Sequence, residues 1–470
     1  MSLSWLSGCY IFAMGILLKD ATIVTINPGN EVLENGDLLI EGDRIAKILA
    51  RGSGLESENH EIVDCRGKIV IPGLVSAHTH LTGMIQRGLW DETSFESWSR
   101  RSTATEKHFN PTPEDIYLIH RAACVELIRH GVTAVLNMFT LPVRSLNHVE
   151  SACRAFVAAG MKGILALSFR DQSPDNAGVV PEDATPESWM SFAREAAALV
   201  RQFEPRVSFM LAPSAPQRCS DRLLRSCREL AQELNVGIHT HLAETKRHAE
   251  IAKELYGEPI VNHLEKIGFL DSNLSVAHAI WLDDTEIDIL NEHQVKVAHN
   301  PSSNMKLGSG VARIKKMLTK GLTVGLGADS VNAGTVYSVF EQMKLAVLLP
   351  RTVWGSEDWV LPAEAFIMGT RGGAQALLLD GLIGSIEEGK KADLVILDPS
   401  VSILPTNHIT EELALCENGS SVESVFVDGK AVLLKKRITV MDEASVISEF
   451  AALKPRIARA EAAALRDPSG

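Results

Sequence analysis

The stretch VIPGLVSAHTH at 70–80 is an apolar, β-branched run that ends in two histidines, His78 and His80. A short run of this kind, with a helix-like stretch after it, is typical of a buried strand in a parallel sheet. Side chains alternate along a strand, so His78 and His80 lie on the same face and can bind one ion together. The H-x-H pattern alone is weak evidence for a metal site, and other strands have to supply further ligands.

Seven more strand candidates follow this stretch, and amphipathic helical segments separate them up to about residue 375. They are VTAVLNM (132–138), KGILALSF (162–169), VSFMLAP (207–213), VGIHTHLAE (236–244), LSVAHAI (274–280), VKVAHNP (295–301) and TVGLGADS (323–330). Eight strands with intervening helices predict an α/β fold of the (β/α)8 TIM-barrel type.

The two ends of the chain read differently from the barrel region, because short alternating strands are broken there by Gly, Asn and Asp. We expect these ends to build one small β-sandwich domain beside the barrel. The expected division is an N-terminal extension at 1–13, a composite β-sandwich at 14–70 and 380–445, a barrel at 71–379 and a C-terminal helix and tail at 446–470. The first 13 residues lack the basic region of a signal peptide, so we interpret Met14 as the natural start. A genuine apolar N-terminal arm is the alternative.

Composition narrows the class of partner. The 470 residues include 46 Lys and Arg against 59 Asp and Glu, which gives a formal net charge of −13. This acidity argues against nucleic acid or an anionic membrane as a partner. The seven cysteines form no C-x-x-C pair, which favours reduced thiols and a cytoplasmic protein.

Chemistry-bearing residues recur at the predicted strand ends, where (β/α)8 barrels place their active sites. The fifth strand ends in His241, with Glu244 close behind, and the sixth, seventh and eighth end in His278, His299 and Asp329. Each residue alone has an ordinary explanation as a buried histidine, a helix cap or a solvated acid. Their joint occurrence at successive strand ends favours a metal site instead.

The residue types fit a catalytic zinc site, which combines imidazole and carboxylate ligands and keeps one position for water. His78, His80, His241 and Asp329 would provide three imidazoles and one carboxylate. Such an ion lowers the pKa of a water molecule and so generates hydroxide near neutral pH.

At these residues the chain resembles the amidohydrolase superfamily, in the branch of zinc or iron aminohydrolases and chlorohydrolases. The resemblance runs from about residue 16 to 450. Its motifs are IPGLVSAHTH (71–80), HTHLAET (239–245), SVAHAI (275–280), HNPSSNMKLGSG (299–310), VGLGADS (324–330) and IGSIEEGKKADLVILD (383–398). By position it implies His78, His80, His241 and Asp329 as metal ligands, Glu244 as a proton shuttle and His278 as the histidine that hydrogen-bonds the hydrolytic water.

The resemblance also implies the number of metal ions. Binuclear relatives carry a bridging Lys or Glu at the end of strand 4, where this chain has LAPSAP (211–216). We therefore expect one divalent ion, Zn²⁺ with Fe²⁺ as the alternative, and no organic cofactor. The expected reaction is attack of hydroxide on an aminated ring carbon, with Asp329 and His278 orienting the water, Asp329 accepting its proton and Glu244 protonating the ring and the departing ammonia.

Loops after the barrel strands usually hold specificity. The candidate substrate-binding residues are Gln86, Trp90, Glu106, Arg170, Ser214, Gln217, Ser303 and Asn304, with Arg87, Trp98 and Arg218 nearby.

The substrate expected from these features is an aminated N-heterocycle, and its identity stays open. RGLWDETSFESW and HNPSSNMKLGSG resemble the S-adenosylhomocysteine and methylthioadenosine deaminases, and Glu106 lies close to the Glu that those enzymes use on the nucleoside. Ser214 and Ser330 depart from their pattern, which has His and Gly there. A compact purine, pterin, pyrimidine or triazine therefore stands beside a nucleoside. The alternatives are a triazine-type chlorohydrolase or a urea or carbamate hydrolase, and a catalytically silent barrel. A homodimer is expected from the resemblance.

Overall fold

The computed structural model describes residues 15–50, 60–91, 94–140, 144–175, 180 and 183–467. The expectation about residues 1–13 and a start at Met14 lies outside these residues. The strands are β1 (Gly15–Val24), β2 (Val32–Glu41), β3 (Arg44–Leu49), β4 (His60–Asp64), β5 (Ile69–Pro72), β6 (Leu74–Thr79), β7 (Val132–Phe139), β8 (Lys162–Phe169), β9 (Val207–Pro213), β10 (Gly237–Leu242), β11 (Leu274–His278), β12 (Lys296–His299), β13 (Val324–Leu326), β14 (Leu394–Leu397), β15 (Val422–Val427), β16 (Lys430–Leu434) and β17 (Arg437–Ile438).

Helices lie between the barrel strands along the chain, and further helices follow the last of these strands. They are α1 (Phe95–Phe109), α2 (Pro113–Arg129), α3 (Leu146–Ala159), α4 (Pro186–Val200), α5 (Asp221–Leu234), α6 (Lys246–Tyr256), α7 (Ile260–Lys266), α8 (Asp284–Glu292), α9 (Pro301–Lys306), α10 (Ile314–Lys320), α11 (Val339–Leu348), α12 (Pro362–Ile367), α13 (Gly373–Ala376), α14 (Ile409–Leu415), α15 (Glu443–Ala451) and α16 (Lys454–Ala464). Short 3-10 turns cover Leu81–Gln86 and Pro216–Arg218 at two of the barrel loops.

The eight strands β6 to β13 form one parallel sheet in chain order. Every residue of β7 and β8 is buried, as expected for strands covered on both faces. A parallel bridge between Thr79 and Asp329 joins the last strand region to the first. The predicted (β/α)8 barrel is therefore confirmed.

The barrel closes at the residues that the sequence marks as metal ligands. The Asp329 N–H donates a hydrogen bond to the His78 carbonyl oxygen at 3.0 Å. The same backbone contact that completes the barrel thus fixes the spacing of these two side chains.

The stretch at 70–80 is shared between two sheets, although its pattern predicts one continuous strand. Residues up to Pro72 form β5 of the second sheet, and the barrel strand β6 begins at Leu74. Gly73 lies between them, where a Cβ atom would come within 2.2 Å of Thr133 Oγ1. Only glycine lets the chain cross this closely from one sheet to the other.

The second sheet is mixed and contains strands from both ends of the chain. Its order is β17-β16-β15-β14-β5-β1-β2-β3, and β4 pairs with β1. The central contact is the antiparallel pairing of β14 with β5. This confirms a separate mixed sheet built from both chain ends, and an apolar cluster that includes Leu18, Leu38 and Phe426 packs against it.

The chain ends in two helices, α15 and α16, where the sequence suggested one. Arg456 of α16 forms a bidentate pair with Asp115 of α2, with distances of 2.8 and 2.7 Å. The last helix is therefore attached to the outer helices of the barrel. Among the described residues, no helix combines the length and the apolar composition needed to cross a bilayer.

Candidate active site

Five side chains meet at the carboxyl end of the barrel, and they come from the ends of four strands. His78 lies in β6, with His80 directly after it, and His241 lies in β10. His278 is the last residue of β11, and Asp329 follows β13. His278 and Asp329 have φ values of 72° and 55°, in the left-handed region. Backbone strain of this kind is common at functional sites, where the surrounding fold holds it in place.

The potential ligand atoms converge on a small volume. The Nε2 atoms of His80 and His241 lie 3.2 Å apart, and Asp329 Oδ1 lies 3.6 Å from His78 Nε2 and 3.8 Å from His80 Nε2. The ligand atoms form two overlapping groups, and within each group all of them lie within 4.8 Å of one another. One group is His78, His80 and Asp329, and the other is His78, His241 and His278. Three nitrogens and one carboxylate oxygen are a donor set that suits a divalent ion.

Hydrogen bonds at the opposite ring nitrogens leave these Nε2 atoms with free lone pairs. His80 Nδ1 donates to the Met138 carbonyl oxygen at 2.9 Å, and His241 Nδ1 donates to the Ser214 carbonyl oxygen at 2.6 Å. A carbonyl can only accept, so each neutral ring carries its proton on Nδ1. The facing Nε2 atoms therefore cannot bond each other, and a cation between them would satisfy both.

Burial keeps the imidazoles neutral, as metal binding requires. Desolvation lowers the pKa of His78 to about 4, and it also lowers the pKa values of His80 and His241. Burial alone would raise the pKa of Asp329, but the approach of His78 Nε2 to 3.6 Å and the charge that the surrounding histidines carry when protonated outweigh it and hold that pKa well below its usual range. The site therefore combines neutral imidazoles with an ionised carboxylate, and these residues fit a divalent metal ion.

Glu244 and His278 lie beside the ligand cluster. Glu244 Oε1 is 3.7 Å from His278 Nε2, and that nitrogen is 3.8 Å from Asp329 Oδ2. His278 Nδ1 donates to Asn304 Oδ1 at 2.9 Å, which fixes the ring. Both Glu244 and His278 are buried. The arrangement places a carboxyl group able to move a proton next to the histidine that faces the carboxylate of Asp329.

The predicted substrate residues after strand 1 have different surroundings. Glu106 is partly buried and accepts a long hydrogen bond of 3.4 Å from Thr82. Desolvation raises its pKa to about 7, while the Thr82 contact acts in the opposite direction. The Trp90 ring lies under the Arg101 guanidinium, 5.4 Å from its centroid.

Gln86 is fully buried, and its amide group bonds within the protein. Its Oε1 accepts from Ser102 Oγ at 2.9 Å and from Asn332 Nδ2 at 3.4 Å, while its Nε2 donates to the Ser102 carbonyl oxygen at 3.2 Å. The structure thus places Gln86 in an internal network instead of bringing a free amide to the site. Of the two residues near it in the sequence, Arg87 pairs with Glu126 and Trp98 packs on Phe95 with centroids 6.0 Å apart.

Some of the predicted residues after strands 3, 4 and 7 hydrogen-bond the histidines of the site, and others have polar atoms without a hydrogen-bond partner among the described residues. The Ser214 carbonyl holds His241, and Asn304 holds His278. Gln217 Nε2 and Ser303 Oγ are buried and have no hydrogen-bond partner among the described residues. Burial lowers the pKa of Arg170 to about 10, and the adjacent Arg218 donates to Asp175 Oδ2 at 2.7 Å.

Sequence reasoning missed Tyr337, which supports the first ligand strand. Its hydroxyl donates to the His80 carbonyl oxygen at 2.9 Å, and the residue is fully buried. It lies 257 residues from His80, and no local pattern marks it.

Ser330, which departs from the family pattern, packs closely on Gly83. A Cβ atom at Gly83 would lie 1.7 Å from Ser330 Oγ. The serine is therefore accommodated by a glycine in the first loop.

Comparison with known proteins agrees with this geometry. The model of the amidohydrolase family matches residues 69–432. The chain belongs to the amidohydrolase family. It is 32% identical over 457 residues to the 5'-deoxyadenosine deaminase of Methanosarcina acetivorans, with 95% of this chain and 99% of that protein covered. It is also 32% identical over 448 residues to the 5-methylthioadenosine/S-adenosylhomocysteine deaminase of Bacillus cereus, with 94% and 99% covered.

A solved structure of an adenosine deaminase from Xanthomonas campestris with bound zinc has the same fold. It superposes with a TM-score of 0.86 at 24% identity and covers 94% of this chain and 98% of that one. The predicted family resemblance is thus confirmed. The prediction of a hydrolytic deaminase that acts on carbon–nitrogen bonds of an N-heterocycle is confirmed at the level of this class. The roles of individual residues stay predictions.

Proposed function

We propose that this amidohydrolase uses one zinc ion to deaminate an adenosine-type nucleoside at its 6-amino group and release ammonia. The observation that carries the proposal is the position of Glu244, whose carboxyl oxygen lies 3.7 Å from His278 Nε2 beside the ligand cluster. An amine is a poor leaving group unless it is protonated, so a deaminase needs an acid at this point. The curated relatives, which are deaminases of adenosine-type nucleosides, support the same reaction.

The metal ion would be held by four residues whose free nitrogens and carboxylate oxygen converge, namely His78, His80, His241 and Asp329. When bound, a zinc ion acts as a Lewis acid that brings the pKa of a water molecule close to neutral. Zinc is proposed over iron because the donor set is the one that catalytic zinc prefers. Metal analysis of the purified protein decides between the two.

The protein groups handle the protons of the reaction. Glu244 delivers a proton to the ring nitrogen next to the aminated carbon, which makes that carbon more electrophilic. The departing amine takes up, through the same carboxyl group, the proton that Asp329 removes from the hydrolytic water, and the hydroxyl proton of the addition product restores the Glu244 acid. Asp329 accepts a proton from the hydrolytic water at Oδ2, and His278 Nε2, 3.8 Å away, hydrogen-bonds that water. Asn304 holds the His278 ring throughout.

Glu106 supports a nucleoside over a free base. It is a desolvated carboxyl group, and the hydrogen bond that it accepts from Thr82 is long, at 3.4 Å. As a carboxylate it is suited to accept hydrogen bonds from two sugar hydroxyl groups. A compact aminopurine or pterin is the second candidate, because Ser214 stands where the nucleoside deaminases have a histidine.

An ammonia-release assay on the metal-loaded protein tests the proposal. We expect the highest kcat/KM for adenosine, 5'-deoxyadenosine, 5'-methylthioadenosine or S-adenosylhomocysteine, and lower values for adenine, guanine, pterin and aminotriazines. Turnover of free bases alone would support the second candidate. Chloride release from a chlorotriazine without any ammonia from the panel would support the chlorohydrolase.

The substitution Glu106→Gln tests separately whether Glu106 binds the sugar of a nucleoside substrate. Because burial raises the pKa of Glu106 to about 7, the carboxylate that accepts the sugar hydroxyls is lost as the pH falls from 8 to 6. We expect KM for the nucleoside to rise over this interval in the wild type and to become independent of pH in Glu106→Gln. The matched control is the free base, whose KM should not respond to the substitution. An unchanged nucleoside KM in the variant would remove Glu106 from substrate binding.

We propose a homodimer in the cytoplasm as the working form, on the strength of the family resemblance and the cysteine pattern. Light scattering coupled to size-exclusion chromatography measures the oligomeric state directly.

A further inference from the structure

His239, a buried histidine outside the proposed ligand set, contacts the ligand candidate His78. His239 precedes His241 by two positions in β10, so the two rings lie on the same face of the strand. His239 Nε2 lies 2.8 Å from His78 Nδ1, and His239 Nδ1 lies 2.7 Å from Ser275 Oγ of β11. His78 and His239 are fully buried, and Ser275 is 2% exposed.

The positions of the protons in the hydrogen bonds that link His78, His239 and Ser275 decide whether His78 can bind a metal ion. His78 Nε2 faces Asp329 and has no hydrogen-bond partner among the described residues. If Nε2 is to offer a lone pair, the proton of the neutral ring must be on Nδ1, which then donates to His239 Nε2. His239 must then carry its own proton on Nδ1 and donate it to Ser275. The opposite order would place a proton on His78 Nε2 and block the ligand position.

We propose that His239, oriented by Ser275, is a positioning residue that fixes His78 as an Nε2 ligand of the metal ion. His78 differs here from His80 and His241, whose Nδ1 protons are held by carbonyl oxygens. A carbonyl enforces one tautomer because it only accepts, whereas an imidazole can donate or accept. The Ser275 hydroxyl holds the His239 ring in place, and it can accept from His239 Nδ1 in the order of protons that leaves His78 Nε2 open to the metal ion.

This inference rests on the proposed metal site. Residues that hydrogen-bond a metal-ligating histidine typically contribute 10- to 100-fold to metal affinity. His239 should therefore act on the affinity for the metal more than on the fold.

The test measures zinc affinity by competition with a chelator for His239→Leu, His239→Gln and Ser275→Ala. We expect His239→Leu to weaken binding about 10- to 100-fold, because the His78 Nδ1 proton loses its acceptor. His239→Gln should remain close to the wild type, since an amide oxygen can accept from His78 and the amide nitrogen can donate to Ser275. Ser275→Ala should have a smaller effect than His239→Leu, because it removes only the second hydrogen bond.

The absorption spectrum of the Co²⁺-loaded protein provides a readout that a purely structural role would not move. We expect a changed ligand-field spectrum for His239→Leu and a wild-type spectrum for His239→Gln. His148→Leu is the matched control, because His148 is also buried but lies in α3, where its Nε2 bonds the Pro111 carbonyl at 2.8 Å. It should lower the unfolding temperature without changing zinc affinity.

The outcomes separate this inference from the proposed function. A wild-type protein that binds less than one equivalent of metal would overturn both. A wild type that binds zinc while His239→Leu binds equally well would overturn the role of His239 alone. Equal loss of affinity in His239→Leu and His239→Gln, with matching falls in unfolding temperature of the metal-free protein, would also count against it.

Discussion

Two clusters of buried charge lie at opposite ends of the same barrel, and they differ in how their polar atoms are paired. At the amino end, Lys162 Nζ lies 2.6 Å from Asp393 Oδ1 and 2.6 Å from Asp428 Oδ1. Arg206 Nη2 lies 3.0 Å from Asp428 Oδ2. Lys162 begins a barrel strand, while the two aspartates flank strands of the second sheet. This cluster therefore attaches one domain to the other.

The cluster at the carboxyl end has free ligand atoms instead of internal partners. His78 Nε2, Ser303 Oγ and Asn304 Nδ2 are buried without hydrogen-bond partners among the described residues, and the Nε2 atoms of His80 and His241 face each other. At the amino end, Asp393 Oδ2 is likewise without a partner among those residues, and desolvation raises the pKa of Asp393. Buried polar atoms without partners are rare in folded proteins, so several of them together at the carboxyl end indicate a place for a ligand, whereas most of the charges at the amino end pair with one another.

The largest effect is expected for Glu244→Gln at the carboxyl end. The amide cannot transfer a proton, so kcat should fall by up to about 10⁴-fold, or about 5.5 kcal/mol in activation free energy. The variant should keep its metal and its unfolding temperature, because the shape of the side chain is preserved. Ammonia release and metal content measured on the same preparation check this. Turnover within about 10-fold of the wild type would remove Glu244 from the proton transfers.

Lys162→Met should have the opposite profile at the amino end. Removing the cation leaves Asp393 buried without its cation and Asp428 paired only with Arg206, which costs about 3–5 kcal/mol of unfolding free energy. Denaturant unfolding measures the loss, and kcat of the folded variant should stay near the wild-type value. Lys266→Met is the matched control, since Lys266 is 72% exposed and pairs with Glu258 at 3.2 Å. A loss no greater than that of the control would show that the cluster does not stabilise the fold.

Asn304→Ala should give an intermediate effect on catalysis. Asn304 Oδ1 accepts from His278 Nδ1 at 2.9 Å, so its removal frees the orientation of the His278 ring. We expect kcat to fall about 10- to 100-fold, with the metal retained. Asn304→Asp keeps an acceptor and should recover most of the activity. If the two variants lose activity equally, Asn304 acts in another way, for instance on the substrate.

The smallest effect is expected for Arg456→Met on the outside of the barrel. Burial would raise the pKa of Asp115, but the Arg456 hydrogen bonds and the Thr112 cap outweigh it and lower that pKa below its ordinary value of 3.8. This pair therefore stabilises the fold above about pH 4, and the stabilisation is lost as the pH falls through the lowered pKa. We expect a loss of about 1 kcal/mol at pH 7, given that Arg456 is partly exposed.

Denaturant unfolding at pH 7 and at pH 3 checks the sign. The difference between the wild type and Arg456→Met should shrink at the lower pH. Arg459→Met, an exposed arginine on the same helix, should show no difference at either pH. A difference that grows on acidification would contradict the assignment.

Much of the fold could be predicted because its signals are local. The apolar runs of β7 and β8 are buried along their whole length, and such runs separated by amphipathic helices are characteristic of a parallel barrel. The split of the 70–80 stretch could not be predicted. Its cause is the close approach of Gly73 to Thr133, which is a contact between residues far apart in the sequence.

The site follows the same division. The residue types at strand ends can be read from the sequence, since strands of a parallel barrel all end at one face. The internal network of Gln86 with Ser102 and Asn332 cannot. A polar residue in an active-site loop can face the substrate or the protein, and only the positions of its neighbours decide between them.

The sequence by itself determined which side chains could meet: His78, His80, His241, His278 and Asp329 all follow from strand ends and the period-two alternation of strands. Only the tertiary structure decided how they meet. The hydrogen bond from Asp329 N to the His78 carbonyl closes the barrel at 3.0 Å and sets the spacing of those two residues. The partners of the rings, from Met138 to His239, also come from neighbouring strands. Their hydrogen bonds fix the tautomers, and tautomers depend on contacts in space that no local pattern encodes.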